Sequence, residues 1–426
     1  MKGLSIFVLL LTLNSCTKEI KEPITNTRDY NSFLINDIRE TYNNALSEKE
    51  FWSNRLRPDS SGVGDLGPLA GAYTNLFEVT GNVNYLKNVE QLYKKAIKLS
   101  FQNKDIYIRS LAHNYISQHR FKEARNILEE SYAGISNKHS TELMLFDVYM
   151  ELGDYLKADE FLGKIKNNND YNYLIRLAKW SEYKGNLEAA IRYLEKAKKI
   201  AESRGSKSLK IWAYINLADF YGHAGKLKKA YNHYLLTLNL QPDNAYAKRG
   251  IAWIAFSSEK NTDEAKRILD SIMIHHKVPD YFLFKADIAE YENKILESKK
   301  HRQNFINAVN TGNYGAMYNT YLIEIYAEKN PEKALELANE EIENRATPET
   351  YHLLAYAQLK NEKLKEALHT IENFVEGKTF EPLALYHSVL IYKANDMNNK
   401  VKTIKNELKT AYFELGPVIS LKIENL

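Results

Sequence analysis

A small residue recurs in this chain on a clock of about 34 positions. Ala124, Ala158, Ala190, Ala230, Ala265, Ser298, Ala334, Ala367 and Val401 stand 34, 32, 40, 35, 33, 36, 33 and 34 residues apart. Each lies in an apolar stretch of helical period that follows another such stretch across a turn. A unit of that length holds two helices and cannot bury its apolar faces alone, so successive copies must stack on one another. The period therefore predicts an all-α solenoid, in which added length means added repeats rather than added cores. The one long step, Ala190 to Ala230, contains a polar stretch that reads as an extended second helix and loop.

The clearest copy runs from Trp212 to Pro242. Tyr214, Leu217, Ala218 and Tyr221 share one helix face at i, i+3, i+4 and i+7. Gly225 and Lys226 break that helix; Leu227, Ala230, Tyr234 and Thr237 continue on a second one, which Pro242 stops. Ala218 and Ala230 allow close approach of the two helices, and the Tyr and Leu side chains around them fill the space. This order of residues resembles a tetratricopeptide repeat. The resemblance implies a right-handed superhelix of antiparallel helix pairs, with first helices lining a concave groove and second helices outside. It also implies a general role in protein–protein interaction. About ten such repeats are expected over residues 69–411. Capping helices and a Gly-rich linker are expected at 29–68, and a tail at 412–426. The last ten residues read equally as a frayed end or as a strip docked on the final helix.

Residues 1–15 carry Lys2, the apolar run Leu4–Leu13 and a small residue before the only cysteine, Cys16. This is the pattern of a secretory signal peptide, too short and wrongly flanked for a spanning helix. The end, Leu13-Asn14-Ser15-Cys16, resembles a bacterial lipobox, with Asn14 where Ala or Ser is more usual. That resemblance implies that Cys16 becomes a lipidated N-terminus and that the chain is a lipoprotein of the Gram-negative envelope. Thr17, in place of the Asp that retains some lipoproteins at the inner membrane, implies an outer-membrane destination. Periplasmic and surface-facing orientations both stay open. Residues 16–28 read as the lipidated cysteine and a polar tether.

No catalytic spacing survives inspection. His275 and His276 are adjacent and point to different faces, and His113 and His119 are six apart, off the i, i+4 register. His-Glu-x-x-His is absent, and no cysteine remains once Cys16 is acylated. Gly62-x-Gly64-x-x-Gly67 matches a dinucleotide fingerprint by letter, but a helix precedes it and no βαβ unit surrounds it. Carboxylates are scattered among lysines on solvent faces. The net charge of +4 is small against 58 basic and 54 acidic residues, so nucleic acid is not an expected partner. Neither an enzyme nor a cofactor or metal is expected.

Binding is the reading that remains. First-helix positions turned away from the partner helix would line the groove. These include Lys179 and Tyr183 in one repeat, Trp212, Asp219 and His223 in the next, and Tyr246, Arg249, Trp253 and Phe256 in the third. Trp, Tyr and Arg concentrate binding energy because each buries a large area with a polar handle. Trp253 and Phe256 are equally suited to packing between repeats. The expected function is a lipid-anchored, non-enzymatic scaffold binding a protein or peptide of the cell envelope in this groove. The alternative is a glycan- or nutrient-capturing lipoprotein of an outer-membrane uptake system, which would ordinarily need long irregular loops that this nearly gapless array lacks.

Overall fold

The computed structural model describes residues 22–426 apart from 36–38, 57–61, 103 and 135–136. The expected signal peptide, Cys16 and the first part of the tether lie outside the described residues.

Among the described residues, helices follow one another in ten pairs, from Val63–Thr80 with Asn84–Leu99 to Pro382–Ala394 with Asn398–Leu408. The fold is an all-α solenoid of the tetratricopeptide type. The small residues that keep the clock explain why. Ala124, Ala158, Ala190, Ala230, Ala265, Ala334 and Ala367 are fully buried where paired helices cross. Helix starts are fixed by short polar side chains. Asp154, Asn186, Asn261 and Asn330 each cap a second helix by accepting a backbone N–H. Such a cap contributes about 1 kcal/mol. The long step corresponds to the 17-residue helices Leu187–Ser203 and Lys207–His223.

The array winds back onto itself. The Lys277 N–H donates to the carbonyl of Thr80 at 2.9 Å, and Asn344 Nδ2 donates to the carbonyl of His119 at 3.5 Å. Gly153 lies against Ala346 and Thr347, Gly185 against the ring of Phe380, and Gly222 against the ring of Phe413. The hydrogen bonds that cross this seam join residues 156 to 229 apart. The solenoid thus completes a superhelical turn in roughly five to six repeats, and its second turn rests on the ends of helices in the first.

The two ends of the chain differ from the expected domain plan. From Ile24 onward the expected tether is packed, not free. Glu259 accepts from both the N–H and the hydroxyl of Thr25, at 2.7 and 2.8 Å. Tyr30 is fully buried and donates to Glu264 at 2.6 Å. This strap crosses the outer helices Leu227–Leu240 and Thr262–Met273, because Tyr30 and Leu34 complete their apolar faces. Helix Glu40–Arg55 then packs on Val63–Thr80. The Gly-rich stretch is largely that latter helix: Gly62 precedes it, and Gly64, Gly67 and Pro68 lie inside it. At the other end, residues 412–424 form a helix interrupted at Gly416, whose φ of 74° only glycine adopts readily.

Candidate functional site

Two recesses inside the superhelix are lined by first helices. The larger, about 610 Å³, is the concave groove of the second turn. Its walls are helices Asp280–Tyr291, Asn319–Lys329, Pro348–Lys360 and Pro382–Ala394, with the C-terminal segment 415–422 closing one side. Leu283, Ile325, Leu383 and Leu390 supply an apolar floor. Polar groups stand above it: Asp287 and Glu290 pair with Arg302 at 3.1 and 2.8 Å, Lys422 reaches Glu290 at 2.9 Å, and Lys360 reaches Glu328 at 2.8 Å. Glu324 makes no hydrogen bond or ion pair to any described residue. Burial and the neighbouring Asp287 push its carboxyl up to about 7. Asp287 is pushed up to about 6, with burial outweighing Arg302. The Asp287 side chain keeps 36% of its surface. Its desolvation comes from the protein walls around the groove, not from loss of all water contact.

The second recess, about 460 Å³, is a cleft at the seam between turns. The C-terminal ends of first helices carrying Glu151, Lys179, Glu182, Tyr183 and His223 meet Arg345, Glu349, Glu381 and Glu414 of the later repeats. Lys179 pairs with Glu151 at 2.7 Å, and Arg345 approaches the same carboxylate at 3.5 Å. His223 stands 3.8 Å from Glu182 and 4.0 Å from Glu414. Burial works against its charge, but these two carboxylates prevail and hold it up to about 9. It is therefore a cation joining the two turns at neutral pH. The Glu381 carboxyl has no ion-pair or hydrogen-bond partner among the described residues. Burial first, then Glu414, pushes it up to about 7.

The nine groove residues expected from the sequence are distributed unevenly. Lys179, Tyr183 and His223 line the seam cleft, and Tyr183 stacks on Tyr155 at 4.0 Å between ring centres. Trp212 stays exposed, edge-on to Tyr171 at 6.1 Å. Asp219 accepts from Tyr234 at 2.6 Å and from Tyr246 at 2.8 Å, so it orients an exposed Tyr246 ring. Arg249 is half-buried, and its Nε has no hydrogen-bond partner among the described residues.

The remaining two need correction. Phe256 is 0% exposed and lies beneath the groove wall rather than on its surface. A π-helical turn at Ile254–Ser258 re-aims it into the core, where it meets Phe284 and Tyr291. Trp253 still borders the groove, but the C-terminal segment covers it: its Nε1 donates to the carbonyl of Phe413, and Gly416 lies against its ring.

Asp287, Glu324 and Glu381 were missed, although a signal for the first two exists. Lys179, Asp219 and Trp253 each follow the small residue of their first helix. The same register one and two repeats later gives Asp287 after Ala286 and Glu324 after Ile323. Among the described residues, no three His, Cys, Asp or Glu side chains converge to hold a metal ion. No described helix is long and apolar enough to cross a membrane.

Residues 171–204 match the family model of the tetratricopeptide repeat. No curated protein matches the chain. Three of the solved structures similar to it in fold are the following. A human IFIT1 dimer with PPP-AAAA is 13% identical over 73% of this chain and 71% of its own, with a TM-score of 0.48. Yeast Tom70 is 16% identical over 87% of this chain and 92% of its own, with a TM-score of 0.40. A tetratricopeptide repeat protein from Parabacteroides merdae is 13% identical over 57% of this chain and 92% of its own, with a TM-score of 0.39.

Proposed function

We propose that the chain is a non-enzymatic scaffold that holds a protein or peptide segment in the concave groove of its second turn. A tetratricopeptide-type array is suited in general to binding proteins. The observation that carries the reading is the groove itself. It has an apolar floor, a carboxylate in Glu324 that pairs with no cation among the described residues, and an exposed tyrosine, Tyr321, at its edge. An apolar floor supplies affinity, and a few unsatisfied polar groups above it fix orientation.

The proposal extends to the envelope. Cys16 is lipidated and tethers the scaffold to the outer membrane, as the lipobox-like end of the leader implies. Because the strap from Ile24 is packed against the middle of the array, only about seven residues separate the body from Cys16. They reach at most about 25 Å when extended. The scaffold is thereby held close to the bilayer by its outer face, with the groove on the opposite side of the helix layer.

A photoreactive residue at Tyr321, with another at outer-face Lys229 as control, tests the groove in cells. A discrete protein adduct at Tyr321 and none at Lys229 is expected. Equal labelling at both, or none at either, would remove the groove reading. Polysaccharide captured through Tyr321 would favour glycan binding instead. Labelling with an alkynyl fatty acid that is lost in Cys16→Ser tests the anchor separately.

A further inference from the structure

The seam cleft borders a third recess across three aromatic side chains. Tyr155, Tyr183 and Phe380 line both cavities, so a ligand lying over these rings would pass from one recess to the other. The outer recess, about 430 Å³, is walled by Tyr351 and Phe374, whose rings stack at 4.2 Å, and by Phe380, which is 55% exposed. The inner cleft holds five carboxylates against Lys179, Arg345 and His223. Those three cations are committed to Glu151, Glu182 and Glu414. Among the described residues, Glu349 accepts only from the Thr379 hydroxyl, at 3.0 Å, and the Glu381 carboxyl accepts from none. The passage therefore holds two carboxylates without a paired cation at one end and presents exposed aromatic surface at the other.

We infer that this passage is a second binding site, which takes an extended peptide segment with a lysine or arginine beside an aromatic or large apolar residue. The cationic side chain enters the inner cleft between Glu349 and Glu381. Its apolar neighbour lies on Tyr351, Phe374 and Phe380. Charge complementarity selects the first group and desolvated ring faces the second. The outer rim argues against a polycation. Lys184 lies 4.7 Å above the ring of Trp180, and Lys378 donates to the carbonyl of Asn373 beside Phe374, so both put positive charge there. One cation with an apolar neighbour satisfies the passage; a chain of cations does not. The site is separate from the concave groove and stands or falls without it.

Calorimetric titration of the full chain tests this with hexapeptide amides containing a central Phe-Lys, Ala-Lys or Phe-Glu pair, and with spermidine. Saturable binding of the Phe-Lys peptide is expected, with weaker binding of the Ala-Lys peptide and none of the Phe-Glu peptide. The double variant Glu349→Gln/Glu381→Gln keeps side-chain size and should weaken Phe-Lys binding about tenfold or more, a loss of about 1.4 kcal/mol. Unchanged thermal unfolding of the variant would show that the fold persists. Glu160→Gln, on the exposed face of the outer helix Tyr155–Lys164, should leave binding unchanged. No binding at millimolar peptide, equal binding by the double variant, equal loss with Glu160→Gln, or spermidine bound as tightly as the peptide would each overturn the inference. A groove crosslink at Tyr321 could still succeed in any of those cases, so the two readings fail independently.

Discussion

The indole Nε1 of Trp253 donates to the backbone carbonyl of Phe413 at 3.0 Å, and the same oxygen accepts from the Ser257 hydroxyl at 2.6 Å. One carbonyl near the C-terminus thus satisfies two donors from the sixth helix pair, 160 and 156 residues earlier. The Phe413 ring meanwhile fills the space above Gly222. A side chain whose place in its own repeat suggested a ligand contact is instead a support for the far end of the chain.

Removing residues 412–426 should therefore expose Trp253 and shift its emission to the red. The change is isolated by subtracting the spectrum of Trp253→Phe, since three other tryptophans remain. In the intact chain, Phe413→Ala should cost about 2 kcal/mol, below the range for a fully buried Phe because this ring is only half-buried. An unshifted spectrum after truncation would mean that the terminal helix does not cover Trp253 in solution.

Two glycines where the turns touch should respond differently to the same added methyl. At Gly222 the new carbon would lie 2.8 Å from one edge atom of the Phe413 ring, which can rotate away. Gly222→Ala should cost less than about 1 kcal/mol. At Gly185 the methyl would meet three Phe380 ring atoms at 2.6 to 2.8 Å, and the backbone sits at a φ of 73°. Gly185→Ala carries both the overlap and the left-handed penalty and should cost about 2 kcal/mol. Urea unfolding of the two variants decides the order, and equal losses would remove the distinction.

Much of this architecture was legible in the sequence, and the boundary of legibility is physical. The helix pairs announce themselves because a small residue at the crossing, Ala in most units, is a local requirement that recurs with the repeat. Contacts between turns have no such period. Nothing near Gly185 signals Phe380, and nothing near Tyr30 signals Glu264, because each pair is joined only when the superhelix closes. Phe256 was misplaced by a different cause: the π-helical turn shifts the register that its spacing from Trp253 presupposes. The groove carboxylates were within reach, since Asp287 and Glu324 occupy the register already noted for Asp219. The histidine pair could also have been seen, for His352 and His387 lie 35 residues apart at matching positions of successive first helices.

Those two imidazoles face each other Nδ1 to Nδ1 at 2.9 Å in full burial, with Tyr356 stacked on His387 at 4.0 Å. One ring must donate and the other accept, so the accepting ring must be neutral, and the two cannot both be protonated. Burial lowers His352 to about 3, and burial together with His352 holds His387 well below its usual range. Depressed folded-state values mean that this stabilisation is complete above about pH 6.5 and is lost as pH falls toward about 3. His387→Leu alone leaves His352 buried without its partner and should cost about 2 kcal/mol, whereas His352→Leu/His387→Leu should cost less than twice that. The double variant should also show a flatter fall in melting temperature between pH 7 and pH 4 than the native chain. Parallel curves would show that the pair does not titrate on unfolding.

Glu324 carries the opposite sign. Its folded-state value, raised to about 7 by burial and Asp287, lies above that of an exposed glutamate. Stability from this group is complete below about pH 4 and declines as pH rises through 7, because folding then confines a charge that the groove does not neutralise. Glu324→Gln removes that charge at nearly constant shape. It should leave unfolding at pH 5 almost unchanged and stabilise the chain at pH 8 by about 1 kcal/mol, after allowance for water in the groove. A cationic occupant would do the same work from outside, so the native chain should gain more stability from a bound basic segment at pH 8 than the Gln variant does. Guanidinium unfolding at the two pH values checks the first part. A variant less stable than the native chain at pH 8 would mean that Glu324 is already neutralised in the free protein, and the groove would then have no charge to offer a partner.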